Sequence, residues 1–246
     1  MKHFKWQVIL SAFLVILSAI LYYLHFHIFR DAHHIFIYML GDIAFVPIEV
    51  LLVTIIIHRL LNIREKRSTL EKLNMVIGAF FSEAGTRLLD CFSRADDNVE
   101  KIKEKLIVSS GWSDRQFLAA NKRLKRYKYE IDIEKIDLRS LRDLLYDKRG
   151  FMLRLLENPA LLEQQPFTDL LRATFHLAEE LTSRNDLGGL PDSDMKHLAG
   201  DTNRVYGLLV GRWLDYMHYL KRNYPYLFSL AIRTNPFDKD ASVVVK

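Results

Sequence analysis

At 246 residues, half of them hydrophobic, the chain is long enough for one or two domains with a sizeable core. Its one cysteine, Cys91, excludes an intrachain disulfide and any multi-cysteine metal site, and fits a reducing cytosol. The formal charge of +5 suits contact with anionic lipid head groups or with nucleic acid; lipid is favoured, because the first quarter of the chain is apolar enough to lie in a membrane.

Lys2 to Lys5 form a short basic start. Trp6 to Phe29 is then almost wholly apolar, longer than the ~7–15-residue core of a signal peptide. Tyr22, Tyr23 and His25 stand where a cleavage site would be. The run reads as a retained transmembrane helix, with Trp6 and the tyrosines at its interfacial ends. Arg30 to His34 is a turn so short that the next span must return antiparallel. That span, Ile35 to Ile57, would be roughly 34 Å long as a helix, enough for a ~30 Å hydrocarbon core. Lys2 and Lys5 precede the first span and Arg59, Arg64, Lys66 and Arg67 follow the second, against Arg30 alone in the turn. The positive-inside rule then places both termini in the cytoplasm of a multi-pass plasma-membrane (inner-membrane) protein.

The second span holds Asp42, Pro47 and Glu49. Pro47 cannot donate to the carbonyl of Ile43, which predicts a kink. Asp42 and Glu49 are seven residues apart and share a face, about 10 Å from each other. An Asp at mid-span costs about 2.5–3.5 kcal/mol, so the acids call for a reason. One reading is a polar track for an ion or proton, which requires a homo-oligomer through the hairpin because two helices enclose no pore. The favoured reading is packing. Tyr22 falls opposite Asp42, Val15 opposite Glu49, and Ser18 within a turn of both. Ser11, Ser18 and His25 form a heptad-spaced seam that would hydrogen-bond across the pair.

Beyond Leu60 the apolar residues keep helical spacing: Leu73, Val76, Ile77, Phe80, Leu88 and Phe92. Ser68 to Glu71 matches a capping box, leaving open whether the second span runs on or a new helix starts there. Asp96–Ser110 reads as a short amphipathic helix closed by Gly111. Ser113 to Gln116 is a second capping box, opening a helix towards Tyr129. Asp137 to about Leu162 reads as a helix broken near Gly150 and ending around Pro159. Another runs from Pro166 to about Arg184, followed by a loop at Asn185–Gly189. A long helix from Pro191 would bury Leu198, Val205, Leu208, Leu209, Trp213, Met217 and Leu220 until Pro225 interrupts it. The tail past Pro236 is polar, then Val243 to Lys246. The expected fold is all-α: a two-helix transmembrane hairpin over residues 1–63, with spans at about 6–29 and 35–57, and a cytosolic helical bundle over 64–246.

Candidate chemistry is sparse. His25, His27, His33 and His34, with Asp31, crowd the external end and are the candidate metal ligands. Their spacing is unspecific, and interfacial histidines in a turn are the plainer reading. Asp194 with His197 and Asp215 with His218 repeat an acid-x-x-His spacing, but on one helix about 31 Å apart, so they cannot share a metal. These pairs, and His176 with Glu179 or Glu180, read as surface or capping pairs. Lys122, Arg123, Lys125, Arg126 and Lys128, with Tyr127 among them, form a basic patch for anionic lipid or RNA phosphate, or a plain solvated helix face. There is no Walker loop, G-x-G-x-x-G, G-x-S-x-G or H-E-x-x-H, so neither a reaction nor a cofactor is expected. Tyr224–Phe237 is apolar, aromatic and punctuated by Pro225 and Pro236. Docking on the bundle is its plainer reading; a partner or membrane-interface segment using Tyr224, Tyr226, Phe228, Arg233 and Asn235 is the sharper one.

GDIAFVPIEVLLVTIIIHRLL at Gly41–Leu61 and YPYLFSLAIRTNPF at Tyr224–Phe237 resemble the two signatures of an uncharacterised family of prokaryotic two-span membrane proteins, and the similarity covers the whole chain. The resemblance implies the hairpin-plus-helical-domain architecture and no activity. The function expected is a membrane-anchored interaction or regulatory module for an unidentified cytosolic protein. A small oligomeric ion or proton transporter using Asp42 and Glu49 ranks second, and an enzyme third.

Overall fold

The computed structural model describes residues 2–158, 161 and 164–244, with the backbone alone for 2–5 and 67. It is all-α: among the described residues there is no strand, only an isolated antiparallel bridge between Asp96 and Ile131. The chain divides into two compact units, residues 1–66 and 67–246.

The first unit comprises α1 (Lys2–Phe29) and the leading part of α2 (Ala32–Phe80). Arg30 adopts a left-handed backbone (φ 54°) and its N–H donates to the Phe26 carbonyl at 2.9 Å, which closes α1. Asp31 Oδ1 then accepts from the His34 N–H at 3.1 Å and caps α2. Past this turn the protein covers almost nothing. Among residues 6–66, only His25, Ile35 and Met39 are even half-buried. Helix α2 continues through Pro47 and through Ser68–Glu71, so the capping box there starts no new helix.

The second unit takes the end of α2 into a π-helical turn (Phe81–Gly85). It continues through α3 (Thr86–Ala95), α4 (Glu100–Lys103), α5 (Asp114–Leu124), a 3₁₀ turn (Ile133–Lys135), α6 (Leu138–Leu156), α7 (Gln165–Thr182), α8 (Asp192–Asn223) and α9 (Pro225–Arg233). Local chemistry sets the starts. Ser113 and Gln116 form the capping box of α5, Asp137 accepts from the Arg139 and Ser140 N–H groups at the head of α6, and prolines open α7 and α9.

Three helices differ from their periodicity. Asp96–Ser110 is helical only over α4, because the Asp96 carboxylate takes the Asn98 N–H at 2.9 Å and bends the chain into a turn. Helix α5 stops at Leu124, and α6 passes Gly150 unbroken to end at Leu156. The expected helix end at Pro159 and Leu162 lies outside the described residues, as do Val245 and Lys246.

Helix α8 is the axis of this unit and packs against α7, α5, α9 and α3. Leu198, Val205, Leu209, Trp213, Met217 and Leu220 are buried on it, with Leu208 half-buried. Phe80, Phe92, Phe167 and Tyr206 fill the centre edge to face, with Phe80–Phe167 centroids at 5.5 Å and Phe92–Tyr206 at 6.1 Å.

Candidate functional site

His176-Leu177-Ala178-Glu179-Glu180 on α7 and His197-Leu198-Ala199-Gly200-Asp201 on α8 are two copies of one pattern, a histidine with an acid one turn on. Leu177, Ala178 and Leu198 are buried and fix the helix faces. The helices run antiparallel, so each histidine meets the acid of the other. His176 Nε2 lies 3.3 Å from Asp201 Oδ2 and 3.8 Å from Glu180 Oε1. His197 Nε2 lies 3.5 Å from each of the two carboxylates. His176, Glu180 and Asp201 bring one ligand atom each within 4.8 Å of one another.

An arginine about one turn on holds an oxygen of each acid. Arg184 Nη1 reaches Glu180 Oε2 at 2.8 Å and Arg204 Nη1 reaches Asp201 Oδ1 at 3.1 Å. Arg184 also grips Asp194 through two bonds of 2.6 and 2.8 Å. Hydrogen bonds from Arg184 hold both the Glu180 and the Asp194 carboxyls below the usual carboxylate range. Asp201 is 4% exposed, and its Oδ2, turned towards the two imidazoles, has no hydrogen-bond partner. The histidines themselves are about half exposed, so the cluster opens to solvent on one side.

The acid-x-x-His spacing is not the relation the fold uses. Asp194 belongs to Arg184, and His197 to Glu180 and Asp201. Asp215 accepts from Asn121 at 2.7 Å, while His218 bonds Asp114 at 2.7 Å and stacks on Phe117. The readable signal was the repeated His-Leu-Ala-x-acid on consecutive helices.

A second polar centre lies behind the basic patch. Asp96 is 2% exposed and accepts from the Tyr127 hydroxyl at 2.8 Å; Tyr129 packs edge-on against both Tyr127 and Tyr206. Burial pushes the Asp96 carboxyl up and the Tyr127, Tyr129 and Tyr206 phenols well up, so all three phenols stay neutral. The aromatic ring of the basic run therefore serves the interior. Lys122, Arg123, Lys125, Arg126 and Lys128 are exposed, Lys128 pairing with Glu130 at 2.9 Å.

Tyr224–Phe237 docks on the bundle by one face. Phe228, Asn235 and Phe237 are buried, Phe237 against Trp213, whereas Tyr226, Leu227 and Leu230 point outward. Tyr224 packs edge-on against Tyr226, and Arg233 Nε donates to the Ser229 carbonyl at 3.3 Å. Beside this segment an open cleft of about 980 Å³ is rimmed by charges that satisfy one another, such as Arg94 with Asp90 at 2.9 Å and Lys239 with Glu100 at 3.2 Å. Cys91 lines it, but burial pushes that thiol up, away from the thiolate a nucleophile needs.

In the hairpin, the His25 and His34 rings face each other with centroids 6.0 Å apart and His27 stacks on Tyr23. Among the described residues, His25, His27, His33 and His34 do not bring three ligand atoms together. The expected hydrogen bonds from Asp42 and Glu49 to Ser18, Tyr22 or His25 are not formed. Both acids are exposed, and His25 Nε2 is covered without a partner. The reason is geometric: beyond the turn the two helices do not cover one another's side chains.

These features define an all-α protein with an uncovered apolar helical unit followed by a helical unit that has its own core. Two family models match it: "MJ1433, N-terminal helical domain" over residues 1–61, and "Uncharacterized protein MJ1433, C-terminal helical domain" over residues 69–233. The chain is 48% identical to "Uncharacterized protein MJ1433" of Methanocaldococcus jannaschii over 240 residues, covering 98% of this chain and 96% of the relative. The chain belongs to the MJ1433 family. No solved structure matches it.

Proposed function

We propose that the chain is a membrane-anchored helical interaction module. Residues 1–63 form a transmembrane hairpin in the plasma (inner) membrane with both termini in the cytoplasm, and residues 64–246 present a helical body to a cytosolic protein. The observation that carries this reading is the uncovered apolar surface. The Trp6–Phe29 helix and the most apolar stretch of α2 have mean hydropathies of 2.2 and 2.3, and none of it is buried within the chain. Soluble monomers rarely expose apolar patches above a few hundred Å². Lipid covers such helices while their backbone groups remain satisfied internally. Tyr226, Leu227 and Leu230, exposed on α9, are the partner-facing residues of this module.

A small oligomeric transporter is the second reading, and one observation favours it: Asp42 and Glu49 lack partners within their own hairpin. Membrane fractionation tests the anchor. The protein should stay in the pellet through high salt and alkaline carbonate and leave it only with detergent. Release by carbonate would overturn the hairpin. Ion flux in liposomes separates the module from the transporter.

A further inference from the structure

We propose that His176, Glu180 and Asp201, with His197 beside them, form a site for a divalent first-row transition ion of the zinc(II) class. The site does not depend on the membrane reading.

The distances carry the argument. An N–H···O hydrogen bond spans about 2.7–3.2 Å. The four His–carboxylate separations are 3.3, 3.5, 3.5 and 3.8 Å, too long for good hydrogen bonds. Ligand atoms about 2.0–2.1 Å from a tetrahedral ion lie roughly 3.3–3.4 Å from each other; His176 Nε2 and Asp201 Oδ2 stand at 3.3 Å, and His176 Nε2 and Glu180 Oε1 at 3.8 Å. The buried Asp201 Oδ2 points the same way. It is aimed at both imidazole Nε2 atoms and has no hydrogen-bond partner, an arrangement that calls for an ion or a water at that oxygen.

The surroundings are those of an oriented ligand set. Arg204 fixes Asp201 through Oδ1 and leaves Oδ2 for the ion; Arg184 fixes Glu180 through Oε2 and leaves Oε1 facing His176. Such outer contacts set carboxylate orientation in metal sites. An imidazole with two carboxylates disfavours magnesium and calcium, which take oxygen ligands, and suits zinc and its neighbours with one position left open. Because the ligands come from α7 and α8, the ion would clip the loop between them, and its binding would stabilise the folded chain.

The full-length chain in detergent, stripped with a chelator, is titrated with zinc(II) alone and with cobalt(II) alone. One ion should bind per chain, cobalt(II) should show the intense visible bands of tetrahedral coordination, and the melting temperature should rise with zinc concentration. His176→Gln changes a half-exposed side chain, so the fold should persist while zinc affinity falls at least tenfold, the lower end of losses seen even for outer contacts. Asp201→Asn should abolish the cobalt bands. The His33→Ala/His34→Ala double variant should keep the bound ion, because the hairpin histidines are not its ligands. Three results would each overturn the site: unchanged affinity in His176→Gln and Asp201→Asn, loss of the ion in His33→Ala/His34→Ala, or no saturable binding of either metal by the wild type.

Discussion

The side-chain amide of Asn235 donates to the main-chain carbonyl of Leu106, 129 residues earlier, at 2.8 Å. Asn235 Oδ1 also accepts from the Phe237 N–H at 3.0 Å, so one buried side chain both shapes the C-terminal segment and ties it to the strap after α4. Asn235→Ala leaves the buried Phe237 N–H without its acceptor, which costs about 1–3 kcal/mol, while the Leu106 carbonyl keeps the Val108 N–H at 2.9 Å. Tyr226→Ala, at a residue 71% exposed, should stay within ~0.5 kcal/mol of the wild type. Denaturant midpoints of the detergent-solubilised chain compare the two. Equal midpoints would mean that the segment is not held by this contact.

The two glycines Gly85 and Gly211 should respond with opposite signs. A Cβ at Gly85 would stand 2.6 Å from Phe81 Cδ1 and 2.9 Å from Phe80 Cε1, and both rings are buried, so neither can give way. Gly85→Ala should destabilise by about 1–3 kcal/mol. At Gly211, within α8, a Cβ meets nothing within 4 Å, and Gly211→Ala should stabilise by roughly 0.5–1 kcal/mol through helix propensity. Thermal unfolding of the two variants side by side tests the pair.

Helix starts were legible because they are local. Ser113 with Gln116, Asp137, Pro166 and Pro191 each act on a neighbour within one turn. The end of α5 was not. The chain leaves the helix after Leu124 to place Tyr127 on Asp96 and the Ile131 N–H on Asn203 Oδ1 at 2.8 Å, partners 31 and 72 residues away. The histidine–carboxylate cluster was hidden for a related reason. A scan along one helix pairs Asp194 with His197, whereas the fold joins His176 to Asp201 across two helices.

Asp96 should leave a pH signature. Burial raises its folded carboxyl above the 3.8 of an unperturbed Asp, so the folded state holds this proton more tightly than the unfolded one. Its effect on stability is then most favourable below that unfolded value and is lost as pH rises towards the raised folded value. Asp96→Asn removes the buried charge and should flatten this part of the stability–pH curve. Unfolding measured on both proteins from below pH 3.8 to neutral pH checks it, and a wild-type curve that rises with pH relative to the Asp96→Asn curve would count against the assignment.

The proposed orientation rests on charge. Lys2 and Lys5 flank one end of the hairpin and Arg59, Arg64 and Lys66 the same end of its second helix, against Arg30 in the turn. A reporter active only in the cytoplasm should work when fused at Lys246, and one active only outside should work when inserted between Arg30 and His34. The reverse pattern would invert the protein and put the helical body on the outer face.

Asp42 and Glu49 decide between packing and transport. Neither finds a partner in its own hairpin, so a packing role has to be played between copies of the chain. In that case Asp42→Asn with Glu49→Gln keeps hydrogen-bonding groups of the same shape and removes only the ionisable proton. Self-association in detergent, read by crosslinking or sedimentation, should survive the double variant. Asp42→Leu should weaken association by about 1 kcal/mol for each interhelical hydrogen bond lost. A transport role makes the opposite demand, because an amide cannot titrate and flux would fail while association held. The expected result is association retained in the double variant, with no flux in liposomes from either protein. A flux present in the wild type and absent from an equally associated double variant would establish the carboxylates as the transport path.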